Sequence, residues 1–193
     1  GTKADAGSIE LSGKSIKPAS VGHAVREGIA YVPEDRQTQG AILPFPIGAN
    51  VALPNLETLA PRGWWSRERE AQLANEWIAT LQVKAESHAT AVQDLSAGNQ
   101  QKVVIAKWLA RKPQVLILDE PTKGIDVGAK RAVHAVMDEF VQNGNAIIMI
   151  SSDLPEVIGM SDRVLVMRRG RMRGVFSKQE ATSESVVRTA TDA

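Results

Sequence analysis

The chain has 193 residues, of which 43% are hydrophobic and 23% charged, with a formal net charge of +1 and no cysteine. This is the size and composition of one globular domain with a sizeable core. Disulfides and thiolate metal sites are excluded, no global field draws nucleic acid or an acidic membrane, and no apolar run approaches the ~20 residues of a membrane span.

Residues 1–7 are small and polar, without the basic-then-apolar order of a signal peptide. His23, His88 and His134 lie far apart, which sets histidine catalysis and histidine metal sites aside. Residues 8–14 alternate and then turn, as an edge strand does. A short helix over 20–26 is predicted, capped by Ser20 and closed at Gly28. Residues 28–33 read as a short buried strand stopped by Pro33.

Residues 34–63 are rich in Pro, Gly, Asn and Gln and read as loop with one or two helical turns. A clearer helix covers 66–81, with Ser66 as cap and Leu73, Trp77 and Leu81 at four-residue spacing. Another covers 96–112, with Val104, Ile105, Trp108 and Leu109 on its apolar face, Ser96 as its cap and Pro113 as its stop. Trp77 and Trp108 are expected in the core.

From Gln114 the pattern changes. Strands at 115–118, 146–150 and 164–167 alternate with helices at 127–143 and 155–160, which implies a parallel sheet with helices on its faces. Residues 164–176 also read as a hairpin turning at Arg169-Gly170, and the polar tail has one helix at 183–189. There is no internal repeat and no low-complexity segment.

Two stretches carry chemistry. The strand at 115–118 delivers Asp119 and Glu120 to the carboxyl edge of a parallel sheet, where open α/β folds bind ligands. An aspartate there can hold Mg²⁺, and an adjacent glutamate can act as general base toward water. An apolar strand ending in two acids is equally a solvated turn, but Pro121-Thr122-Lys123-Gly124-Ile125-Asp126 directly afterwards tips the balance. The second stretch is Leu95-Ser96-Ala97-Gly98-Asn99-Gln100-Gln101-Lys102 at the start of a helix. Free N–H groups and the positive end of the helix dipole make such a start an anion site. An ordinary Ser-capped helix would not need Gly98, which costs ~1 kcal/mol against alanine in a helix.

L-S-x-G-x-Q-Q-K, one helix, then an apolar strand with Asp119-Glu120-Pro121-Thr122, resembles the ATP-binding-cassette (ABC) family over nearly the whole chain. Residues 31–36, the Asn99–Lys102 run, Lys123-Gly124-Ile125-Asp126 and residues 150–157 narrow the resemblance to the C-terminal nucleotide-binding half of bacterial monosaccharide importers of the ribose, galactose and xylose type. The resemblance implies a P-loop NTPase α/β fold. It has a RecA-like parallel core sheet, an antiparallel β portion and a helical subdomain, divided near 1–36, 37–113 and 114–193. It implies ATP and Mg²⁺ as cofactors. The implied partners are membrane permease subunits, a second cassette fused in one polypeptide and, indirectly, a periplasmic sugar-binding protein, with no nucleic acid. The implied location is the cytoplasmic face of the bacterial inner membrane.

Roles follow position by position. Glu34 stands at the Q-loop glutamine, which senses Mg²⁺ and the permease. Ser96, Gly98 and Gln100 match signature residues that reach across a dimer to ATP on the other cassette. Asp119 matches the Walker B aspartate as metal ligand, Glu120 the general base, and Asp126 the D-loop aspartate. Asp126 just before Val127 is also a good helix cap. Ser152 stands at the switch histidine.

Ala97, Glu34 and Ser152 depart from the commonest residues at those places; Ala97 is a mild change that preserves the anion site, whereas Glu34 and Ser152 imply that this half's own ATP site is degenerate. The chain holds no G-x-x-x-x-G-K-[ST] phosphate loop. The Walker A strand and helix are expected upstream of Gly1, and the chain alone is expected to be inactive, to expose apolar sheet surface and to self-associate. Its own role would then be to offer its signature in trans. A non-catalytic coupling scaffold in the same importer, or a soluble cassette ATPase of translation or DNA repair, are the alternatives. Arg168, Arg169, Arg171 and Arg173 read as a solvated turn, and Trp64-Trp65 as packing of the loop or helical subdomain facing a permease.

Overall fold

Ser12 and Gly13 both adopt positive φ (51° and 76°), the backbone of a tight two-residue turn. In the computed structural model, which describes residues 4–60 and 63–191, that turn joins β1 (Ile9–Leu11) to β2 (Lys14–Ile16) as an antiparallel pair. The single edge strand expected at 8–14 is therefore a short hairpin. Helix α1 (Val21–Arg26) begins at Ser20, whose Oγ accepts from the His23 N–H at 3.1 Å, and the chain leaves it through Gly28 at φ +89°.

The described residues belong to two compact units, Gly1–Ile148 and Met149–Ala193. A three-stranded sheet is ordered β3 (Ile29–Val32), β4 (Val115–Asp119), β5 (Ala146–Ile150), with β3, β4 and the first three residues of β5 in the first unit. Strands β3 and β4 run parallel with Val32 opposite Leu118. Ala30, Val32, Leu116 and Leu118 are buried, and α5 (Ala97–Leu109) packs against β3. Helix α6 (Val127–Gln142) contacts α5 and buries Val133, Met137 and Phe140, a stripe at helical spacing. On β5, Ile148 and Ile150 remain half-exposed.

Residues 34–63 hold more structure than their composition suggests. A π-helical turn (Arg36–Gly40), α2 (Ile47–Ala52), a 3₁₀ turn (Leu53–Asn55) and α3 (Leu56–Leu59) follow one another. Helix α2 is buried nearly all round, between α4 (Arg67–Thr80) and α5. A helix buried on every side shows no amphipathic period, which is why the sequence shows it only as apolar pieces. Ser66 caps α4 as expected, accepting from the Arg69 N–H. Trp77 and Trp108 are half-buried, not fully in the core. Trp64 is 83% exposed, and Trp65 uses its indole N–H to reach Glu70 at 2.9 Å.

In the second unit, α7 (Leu154–Met160) is capped by Asp153, and β6 (Arg163–Arg168) pairs antiparallel with β7 (Arg171–Ser177). Arg169 and Gly170 have φ of 48° and 73°, the tight turn the sequence predicts. Among the described residues β6 pairs only with β7, so the strand at 164–167 is not part of the parallel sheet. Its inward side chains, Val164 and Val166, make a separate core with Ala181 and with Val186 of α8 (Ser183–Thr191). Arg169, Arg171 and Arg173 are exposed, as a solvated turn requires.

Candidate functional site

Asp119 is the last residue of the central strand, so the sheet itself delivers its carboxylate to the carboxyl edge. Tyr31, from the neighbouring parallel strand, donates its hydroxyl to Asp119 Oδ2 at 2.9 Å. Partial burial, then the bond to Asp119, push the Tyr31 pKa up, so the phenol remains a donor. Glu120 follows with φ +48°. Left-handed backbone at a non-glycine residue is strained, and such residues cluster at functional sites.

The loop beyond is held from two sides. Lys123 Nζ lies 2.5 Å from Glu34 Oε1, and the Lys123 carbonyl accepts from Arg36 Nη1 at 3.0 Å. The Glu34 bond raises the Lys123 pKa. Both members of the ion pair are exposed, so it orients the loop more than it stabilises the fold. Glu34 thus sits beside the Asp119 loop, but its carboxylate is already engaged. Tyr31, Arg36 and Lys123 are site residues that sequence reasoning missed. The signal was available: in a parallel pair the segments leaving both strands emerge side by side.

The second cluster is the start of α5. Ser96 occupies the cap position and is exposed, but its side chain makes no cap hydrogen bond. This corrects the expected cap: Ser96 Oγ instead accepts from Asn99 Nδ2 at 2.9 Å. Gly98 is buried, and a Cβ there would lie 2.5 Å from Ala129 Cβ on α6. The glycine is therefore required by the approach of two helices within the chain, whatever it also allows a ligand. Gln100 is 8% exposed and donates to the Val92 carbonyl at 3.2 Å, so its side chain faces inward rather than outward as expected.

Asp126 caps α6, accepting from the Ala129 N–H at 2.9 Å, and that bond lowers its pKa. A Cβ on Gly98 would be 3.7 Å from Asp126 Oδ2, so Gly98 and Asp126 meet at one seam. Ser152 belongs to the second unit and is exposed; beside it Ser151 Oγ donates to the buried Glu156 at 2.6 Å.

Lys107, on the same helix as Ser96, is 9% exposed and donates its ammonium to the Gly40 carbonyl, fastening the π-helical turn to α5. Burial depresses its pKa below the ordinary 10.5. Between the folded and the ordinary value the unfolded chain binds more protons, so stability rises with pH through that window. Lys102 has a shift of the same sign. Lys123 and Tyr31, whose pKa values are raised, act in the opposite sense, so the readout is a difference: in equilibrium denaturation between pH 7 and 11, Lys107→Met is expected to gain less stability with pH than the parent chain. An identical pH dependence in the two would mean that Lys107 carries no buried charge.

As a cation site the chain offers a limited donor set. Asp119 keeps one carboxylate oxygen outside the Tyr31 bond. Among the described residues no three His, Cys, Asp or Glu side chains cluster to cage a metal. Mg²⁺ is characteristically bound by one or two carboxylates with water and substrate phosphates, and Asp119 fits that role. Among the described residues no helix is long and apolar enough to cross a membrane.

Comparison with known proteins bears on the family and the fold. The family model described as ABC transporter matches residues 1–123. The chain is 50% identical over 187 residues to the ribose import ATP-binding protein RbsA of a Bacillus cereus strain, covering 97% of this chain and 38% of that protein. It is 50% identical over 189 residues to ribose import ATP-binding protein RbsA 1 of Rhizobium meliloti, covering 98% and 38%. The chain thus spans well under half the length of these curated relatives. Among solved structures, a dimeric ATP-binding cassette in a post-hydrolysis state bound to ADP and Pi aligns with a TM-score of 0.75 at 19% identity, over 92% of this chain and 75% of that one. A nucleotide-free ATP-binding cassette from an ABC transporter gives 0.76 at 17% identity, over 100% and 79%. At such identity these structures establish the fold alone: α/β, of the ABC ATPase type.

Proposed function

The chain belongs to the ABC transporter family, and from that premise we propose that it is the ATP-binding part of a bacterial monosaccharide importer whose main chemical contribution is its α5 start, offered to ATP held by a second cassette. The observation that carries this reading is Ser96: exposed, at a helix N-terminus, with its Oγ accepting from Asn99 Nδ2 so that its hydroxyl proton is left to donate elsewhere. The relatives' names supply the ribose-class sugar, and family membership supplies ATP with its usual Mg²⁺. Permease subunits and a second cassette are the partners, with a periplasmic sugar-binding protein acting indirectly. The place of action is the cytoplasmic face of the inner membrane.

In this proposal the Ser96 hydroxyl and the first N–H groups of α5 donate to phosphate oxygens, where charge grows in the transition state. Asp119, held by Tyr31, is the residue that would hold Mg²⁺. Bound there, the cation neutralises charge on the phosphates. Glu120 is placed to accept a proton from attacking water. Asp126 stands at the seam with Gly98. Glu34 and Ser152 occupy sensing positions; Glu34 must exchange Lys123 for any new partner, and a serine cannot carry the cationic charge of a histidine. Glu120 therefore matters less than Ser96 for turnover.

The test is ATP turnover of the assembled importer. Ser96→Ala is expected to lower it roughly 10²-fold, the cost of losing one transition-state donor, while Glu120→Gln changes it little. If neither variant matters, a coupling scaffold is the better description. If Glu120→Gln is the more damaging, this half hydrolyses its own ATP.

A further inference from the structure

Within that reading, we propose that Asn99 is a positioning residue that turns the Ser96 hydroxyl proton outward, a role that falls to Asn99 and not to the adjacent Gln100. The orientation of its amide is fixed by its neighbours. The Lys84 backbone N–H lies 2.9 Å from Asn99 Oδ1. A backbone N–H can only donate, so the oxygen of the amide must face it. The NH₂ group then faces Ser96 Oγ, also at 2.9 Å. Ser96 is thereby the acceptor in that bond, and its own proton must point elsewhere. Among the described residues no other side-chain bond engages Ser96 Oγ.

The same grip draws Lys84 to the start of α5. Lys102, whose Nζ donates to the Gln82 carbonyl at 3.1 Å, has its pKa lowered first by burial and then by the Lys84 charge, and the same charge adds to the Ala129 N–H bond in lowering that of Asp126. Asn99 thus joins a hydroxyl donor to a cationic neighbourhood. Gln100 takes no part, because its amide is spent on Val92 inside the fold. The inference rests on the proposed trans role of Ser96, and the experiment separates the two.

The measurement is a double-mutant cycle on ATP turnover by the assembled importer, with thermal midpoints alongside. Asn99→Ala is expected to lower kcat at least about tenfold, part of the loss expected for a full donor. In the Ser96→Ala background the same change is expected to cost less than about twofold, because Asn99 acts through that hydroxyl. Asn99→Asp keeps the acceptor for Lys84 but invites the Ser96 proton inward. Its loss should equal or exceed that of Asn99→Ala and should shrink in the Ser96→Ala background. Should Asn99→Ala lower the thermal midpoint, Asn99→Asp carries the test, since it preserves the Lys84 bond. Losses that simply multiply, or an Asn99→Ala enzyme with unchanged kcat, overturn the inference while leaving the trans role of Ser96 standing. A silent Ser96→Ala overturns both.

Discussion

Gly98→Ala is expected to destabilise the first unit by about 1–3 kcal/mol, the usual cost of forcing a methyl into a filled space. In an unconstrained helix the same change would stabilise by about 1 kcal/mol, so the sign alone is diagnostic. The new Cβ would stand 2.5 Å from Ala129 Cβ, a separation that carbon atoms do not tolerate. Neither side can yield by rotating a side chain, since both groups are methyls fixed to backbone. Helix α5 or α6 must move, and Ala129 is the residue whose N–H the Asp126 cap holds. The compensating change is Ala129→Gly, which removes the opposing methyl. Each single variant should unfold at lower denaturant than the parent. The double should recover most of the Gly98→Ala loss, a coupling expected only for residues in contact. A neutral Gly98→Ala, or strictly additive losses, would show that the two helices do not meet there.

That contact marks how far the sequence could be read. A glycine in a first helical turn demands a reason, and Gly98 announced one; which neighbour supplied it lay 31 residues further on, as Ala129 of α6. Strands β3 and β4 and most helices were legible because their signals are local: Ser20, Ser66 and Asp126 all cap where composition places them. Ser96 Oγ makes no cap bond and instead accepts from the side chain of Asn99, three residues on. Gln100 lies inward with Gln101, Val103 and Lys107 on a helix buried over most of its surface, so no local period tells its facing from that of Asn99. The Tyr31–Asp119 bond needed the strand register, which no local pattern contains.

Asn50 should be the most sensitive polar residue of the first unit. It is 0% exposed on α2, and its amide closes the loop before that helix. Oδ1 accepts from the Ile42 N–H at 2.8 Å, while Nδ2 donates to the carbonyls of Ile42, Phe45 and Pro46 at 3.0, 3.3 and 3.1 Å. The three carbonyls have other donors: the N–H groups of Phe45, Val92 and Asn50 itself. The Ile42 N–H pairs with no backbone carbonyl among the described residues, so it is the group that truncation orphans. Asn50→Ala should therefore cost about 1–3 kcal/mol, the penalty for one unsatisfied buried group. Asn50→Asp keeps the Ile42 bond but aims a carboxylate at three carbonyl oxygens. An uncompensated buried charge costs on the order of 3–5 kcal/mol, so this nearly isosteric change should be the worse of the two at neutral pH. Burial and the facing carbonyls raise the pKa of the introduced carboxyl. Its folded value then exceeds its unfolded value, and relative stability recovers as pH falls through the window between them. Denaturation midpoints at pH 7 and near 4.5 should show the gap between Asn50→Asp and the parent narrowing in acid. A gap that is absent at pH 7, or that widens in acid, would place Asn50 outside the core.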